Sequence, residues 1–294
     1  MALYRGRDLI AQMDRLDVPH GALAVWSLGQ MGLAIKGAGP EVVYIDPCLS
    51  DVVQIKAPAL RGKFARAFHP PVEPHEITNA AYVLCTHDHA DHTDPLTLGP
   101  LAAASPGARF VITAWSHMIL DEADIAPERR ITPPRPGRRI VPPLDLPAME
   151  LGPLRVTAIP CAHYELERDD QGNHRWLGFL IEWNGVTLYH SGDTIVYPGL
   201  LDTLRALPRA DVALVAANGR DARRDAEGIV GNLLPEEAAW LASELGWDVL
   251  LGGHNDLYAW NTLPAGALAD ACARICPAQR VHTLRPGELF FYVR

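Results

Sequence analysis

The stretch Thr86-His87-Asp88-His89-Ala90-Asp91-His92 decides how this chain is read. It follows directly on an apolar run of strand composition, Ala81-Tyr82-Val83-Leu84-Cys85. A loop leaving a buried strand aims several side chains at one point. Imidazole and carboxylate are the ligands that suit zinc, iron and manganese. Three more candidates stand at the ends of β-like runs: His163 after VTAIPCA, Asp193 after VTLYHSG and His254 after WDVLLGG. Each is weak alone, since a single histidine after a strand more often has a supporting or surface role. Together with the motif they make five imidazoles and two carboxylates, more than one zinc ion needs. His87, His89, Asp91, His92, His163, Asp193 and His254 therefore form the candidate cage for two divalent metal ions.

Outward from the motif, strand-like runs occur at about 22–27, 32–36, 42–46 and 109–112, with helices predicted over 95–104 and 114–124. The N-terminal MALYRGRDLIAQMDRL mixes charge with apolar residues, so it predicts an amphipathic helix rather than a secretory signal. Pro133, Pro134, Pro136, Pro142 and Pro143 crowd one region, expected to be a surface loop near the midpoint. The second half repeats the order: strands near 154–160, 176–183, 186–190, 211–215 and 247–251, and helices near 199–206, 235–245 and 263–275. Strands near 280–283 and 288–293 finish the chain. Strand runs followed by helices, twice, predict an α/β protein of two sheets packed face to face with helices outside. No linker of useful length separates the halves, so a single domain over residues 1–294 is expected.

The composition narrows the function classes. A net charge of −9 argues against nucleic acid as a partner. No apolar run approaches the roughly 18 residues of a membrane span. The five cysteines, Cys48, Cys85, Cys161, Cys272 and Cys276, are odd in number and lack zinc-ribbon spacing. They predict reduced thiols and a cytoplasmic protein, with Cys272 and Cys276 on a core-facing helix stripe.

The order THDHADH, a single later histidine, SGDT and a late GGH resembles the metallo-β-lactamase superfamily over nearly the whole chain. The resemblance implies the four-layer αβ/βα sandwich of the metallo-β-lactamase fold, with its site at one edge between the sheets. It implies that His87, His89 and His163 hold the first metal, that Asp91, His92 and His254 hold the second, and that Asp193 bridges them. Two such ions share a hydroxide that attacks an ester, lactone or phosphoester centre. Asp91 is then the catalytic residue that steers this nucleophile and carries its proton. Asp46, closing the run VVYID, and Thr86 are candidates to orient the ligand histidines. Asp46 before Pro47 reads equally well as a turn former. Ser191 and Thr194 are further candidates for such a role, and His190, one strand position off, reads as structural or supporting.

The flanking segments SLGQMGLAIKG, TLYHSGDT, DVALVAANGRD, GNLLPEEA and GGHNDLYAWN resemble the L-ascorbate-6-phosphate lactonase-like family. That likeness implies a cytoplasmic homo-oligomer that uses Mn2+ or Zn2+ to open a phosphorylated sugar-acid lactone, a small-molecule substrate. Arg220, Arg223 and Arg224 are the candidates for holding the phosphate, Asn232 and Asn255 for contacting sugar hydroxyls, and Asn218, in the same loop as the arginines, is a further candidate substrate contact. The same loop carries Asp221, Asp225 and Glu227 and reads equally as a solvated charged loop. Gln30 stands in a segment where relatives vary, and the loop after His163 departs from the lactonase pattern. The alternative activity is a phosphodiesterase acting on a small cyclic phosphodiester with the same metals; a non-enzymatic metal-binding role is the third hypothesis.

Overall fold

The computed structural model describes residues 3–60, 62–137 and 144–294. In chain order the strands are β1 (Ala22–Gly29), β2 (Gly32–Lys36), β3 (Val42–Ile45), β4 (Ala80–Leu84), β5 (Arg109–Val111), β6 (Arg130–Ile131), β7 (Ala148–Leu151), β8 (Leu154–Pro160), β9 (Leu177–Trp183), β10 (Val186–His190), β11 (Val212–Ala216), β12 (Val249–Gly253), β13 (Arg280–His282) and β14 (Leu289–Val293). The helices are α1 (Arg7–Arg15), α2 (Val52–Lys56), α3 (Pro95–Ala104), α4 (His117–Glu122), α5 (Leu200–Arg205), α6 (Ala222–Asp225), α7 (Pro235–Leu245) and α8 (Gly266–Ile275). No helix among the described residues is long and apolar enough to cross a membrane.

The chain divides into two compact units. One comprises Met1–Thr132, Leu257–Trp260 and Leu284–Arg294; the other comprises Pro133–Asp256 and Asn261–Thr283. The first unit holds a seven-stranded sheet in the order β14-β1-β2-β3-β4-β5-β6. Its β14, β1, β2 and β3 run antiparallel, whereas β3 to β6 run parallel. Every residue of β1, β2 and β3 is buried, the pattern of strands covered on both faces. Leu9, Ile10 and Met13 of α1 pack into a core with Trp26, Tyr44, Leu98 and Phe110. The predicted amphipathic N-terminal helix is thus present.

The second unit repeats the plan with a sheet in the order β13-β12-β11-β10-β9-β8-β7. Here β10 to β13 run parallel and β7 to β10 antiparallel. β9 and β10 form a hairpin through Asn184 and Gly185, both at positive φ, as a tight two-residue turn requires. α5, α7 and α8 cover a core built around Leu180, Tyr189, Leu200, Leu241, Trp247 and Leu268.

Local chemistry sets the helix ends. Pro95 opens α3, and the Asp94 side chain accepts from the backbone N–H groups of Leu96 and Thr97. α7 opens on Pro235, its Glu237 accepts from Leu234 N–H, and Gly246 in the left-handed region ends it. The single helix predicted over 114–124 is a 3-10 turn, Ala114–Ser116, running into α4. Of the prolines assigned to a surface loop, Pro134 is exposed, Pro136 half-buried and Pro133 buried. Pro142 and Pro143 lie outside the described residues. All five cysteines are free thiols, and only Cys276 is partly exposed.

Candidate metal centre

Strand direction explains which side chains meet. In the first unit β3 and β4 are parallel, so Asp46 and the loop 86–92 leave the same edge of the sheet. β2 runs antiparallel to β3, which brings the β1–β2 turn to that edge as well. In the second unit β8 and β10 are each antiparallel to β9, and β10, β11 and β12 are parallel. His163, Asp193 and His254, each just beyond a strand, therefore leave one edge of that sheet. Carboxyl ends of strands are where open α/β sheets place their ligands.

In the first unit Asp46 organises the motif. Its Oδ1 accepts from Thr86 N–H at 2.7 Å, and its Oδ2 accepts from the Thr86 hydroxyl at 2.7 Å and faces His92 Nδ1 at 2.7 Å. A carboxylate only accepts, so His92 carries its proton on Nδ1. The Thr86 hydroxyl donates to Asp46, so His87 Nδ1, 2.9 Å away, must donate to Thr86 Oγ1. One buried carboxylate thus sets the tautomer of two imidazoles and leaves the lone pair of each on Nε2, the form that ligates a metal. Asp46, Thr86, His87 and His92 are fully buried. The His87 ring lies 4.8 Å from that of His89 and 4.0 Å from that of His92. Asp91 Oδ2 accepts from Gln30 Nε2 at 2.8 Å, a contact that sequence reasoning missed. Its one signal was the glycine on each side of the pair Gln30-Met31.

Beside this group, Cys48, Val52, Leu257 and Tyr258 form an apolar cluster with Phe64 and Phe68 against it. Burial, with the charge of Asp94 next, pushes the Cys48 thiol well up, and burial raises the Tyr258 phenol. Both stay protonated.

In the second unit Asp193 Oδ2 lies 3.2 Å from His254 Nε2 and 3.7 Å from His163 Nε2, with all three side chains buried. His254 adopts φ 62, a left-handed conformation uncommon for any residue but glycine. Ser191 Oγ donates to Gly192 O and accepts from Ala216 N–H, and the Thr194 hydroxyl donates to Ile195 O. His190 Nδ1 accepts from Gly192 N–H at 3.2 Å. These groups stitch the turn that carries Asp193. Gly178 permits the turn: a Cβ there would stand 2.8 Å from His190 O and 2.9 Å from Ser191 O.

The arginine loop is tied inward. Arg220 meets Glu237 through both nitrogens, at 2.7 and 2.6 Å, and also donates to Asn232 O. Arg224, its side chain 2% exposed, donates to Asp221 Oδ2, Asn218 O and Asn261 Oδ1. Asn218 is buried between Asn232 and Asn261, Asn255 is half-buried, and Arg223 is exposed.

The donor set fits divalent cations. Among the described residues, the side chains grouped closely enough to hold a metal ion are His87, His89, Asp91 and His92 from the first unit and His163, Asp193 and His254 from the second. They are the imidazoles and carboxylates that Zn2+ and Mn2+ accept, and the fixed tautomers of His87 and His92 suit ligation.

Comparison with known proteins agrees. Residues 41–255 match the model of the β-lactamase superfamily domain. The chain is 29% identical over 157 residues to a UPF0173 metal-dependent hydrolase of Archaeoglobus fulgidus, a match covering 49% of this chain and 57% of that protein. Two solved structures share the fold. One is Igni18, a metallo hydrolase from Ignicoccus hospitalis, with TM-score 0.63, 17% identity, and 92% of this chain and 98% of that one covered. The other is a possible metal-dependent hydrolase from Veillonella parvula, with TM-score 0.66, 14% identity, and 93% and 99% covered. With a family model matching well over half its length, and two mixed sheets flanked by helices, the chain belongs to the metallo-β-lactamase superfamily.

Proposed function

We propose that this protein is a binuclear metal-dependent hydrolase, one hydrolase domain in which the donors of both units serve a single pair of cations. The observation that carries this is the wiring of Asp46, Thr86, His87 and His92, which sets two buried imidazoles for metal ligation inside a superfamily-matched segment. His87, His89 and His163 would hold one ion, Asp91, His92 and His254 the other, and Asp193 both. A bound pair supplies water activated at neutral pH and a Lewis acid for the developing oxyanion. With the pair bound, Asp91 would orient that water and take up its proton. Asp46 keeps His92 in one tautomer throughout.

The substrate class we propose is a small cyclic ester, a lactone of a phosphorylated sugar acid such as L-ascorbate 6-phosphate. The support is the likeness of the flanking segments, with Mn2+ or Zn2+ as the metal. Arg220 is tied to Glu237 and Arg224 to Asp221, so in this reading Arg223, which is exposed, is the candidate for a phosphate contact. The test is hydrolysis of a lactone panel by purified, metal-loaded protein, run beside bis(p-nitrophenyl) phosphate. Lactone turnover that Asp91→Asn abolishes supports the proposal. Turnover of the phosphodiester alone replaces it with the phosphodiesterase reading.

A further inference from the structure

Resting on the two-cation reading above, we infer that Gln30 is a positioning residue that fixes the carboxylate of Asp91. The contact joins side chains 61 residues apart at 2.8 Å. Gln30 is 5% exposed and sits in the turn between β1 and β2, at the sheet edge shared with Asp46 and the motif. A carboxylate accepts only, so the amide faces it with its NH2 group. That group then sets how the Asp91 carboxylate is turned.

The backbone of Gln30 argues that the side chain matters. Its φ is 56, in the left-handed region, where glycine is at ease and glutamine is strained. The turn is packed too tightly to relax freely. A Cβ on Gly32 would lie 3.0 Å from Gly29 O and 3.2 Å from Asp46 O, and one on Gly29 would run into the Phe68 ring. Asp46, which holds His92, also lies in the left-handed region, at φ 45. Two residues in the left-handed region at one sheet edge thus hold the motif, Asp46 through His92 and Gln30 through Asp91. Strain held at a site by surrounding packing is the usual mark of pre-organisation.

The experiment titrates metal-free wild type, Gln30→Leu and Gln30→Gly with Mn2+ and with Zn2+ by calorimetry, and melts each metal-free protein. Positioning partners of ligands are worth about 10–100-fold in metal affinity. Both variants should therefore lose affinity of that order for one ion, and in the loaded enzyme kcat should fall with KM held. Gln30→Gly should melt at or above wild type, because glycine accepts the turn without strain. A merely structural lock predicts the opposite pair: a lower melting temperature and unchanged cation affinity. Wild-type affinity in both variants overturns the inference. The number of ions that wild type takes up tests the two-cation reading separately, while the ratio of variant to wild-type affinity tests Gln30 at either stoichiometry.

Discussion

Asp46 Oδ2 stands 2.7 Å from His92 Nδ1, and neither side chain is exposed. Replacing Asp46 by alanine strands three donors: Thr86 N–H, the Thr86 hydroxyl and His92 Nδ1–H. The expected destabilisation is about 3 kcal/mol, read from urea unfolding of the metal-free protein. Asp46→Asn separates stability from ligation. Its carbonyl can still serve Thr86, but an amide facing His92 Nδ1 favours the tautomer with the proton on Nε2. Metal affinity should fall about 10–100-fold, by calorimetric titration, with a smaller change in stability than Asp46→Ala shows.

His254 pays for its place in backbone strain, at φ 62 beyond β12. Glycine there removes the strain and alanine does not. Metal-free His254→Gly should therefore exceed metal-free His254→Ala in stability by about 1 kcal/mol. Both should lose hydrolysis, because the imidazole is gone from each. Equal melting temperatures for the two variants would show that the left-handed backbone carries no strain.

Gly178 lies against the carbonyls of His190 and Ser191, the residues that begin the turn to Asp193. Alanine at 178 has backbone rather than a flexible side chain to displace. The expected loss is about 1–3 kcal/mol, with weakened metal uptake because the Asp193 turn moves. Melting and metal content of Gly178→Ala check both parts.

Glu237 links the arginine loop to the start of α7. Burial pushes its carboxyl up. Hydrogen bonds from Arg220 and Leu234 N–H, with the Arg220 charge, outweigh that and hold it below its ordinary value of 4.5. A carboxyl whose folded value is depressed stabilises the fold above its unfolded value, and the contribution fades as pH falls through the folded one. Wild type should thus lose stability on acidification below about pH 4.5 more steeply than Glu237→Gln does. Urea midpoints measured across that range, and again near neutral pH, give the comparison.

Much of this was legible in the residues. β2, β8, β10, α3 and α7 fall on the predicted spans because period, apolar content and Pro or Gly punctuation coincide there. β6, β7, α2 and α6, of two to five residues each, were missed. Asp46 stood out because it closes an apolar strand. The Gln30–Asp91 contact could not, since no local pattern links positions so far apart. The arginine loop shows a different limit: a run of charge does not reveal which guanidinium turns inward to Glu237 or Asp221.

Four of the five thiols are shut inside the fold, and only Cys276, at the C-terminal end of α8, is partly open. Burial also keeps Cys48, Cys85 and Cys161 protonated at neutral pH, so they neither alkylate readily nor seize soft heavy metals. The native molecule consequently carries a single addressable handle: a maleimide dye should attach at Cys276 and leave the other four sulfurs untouched.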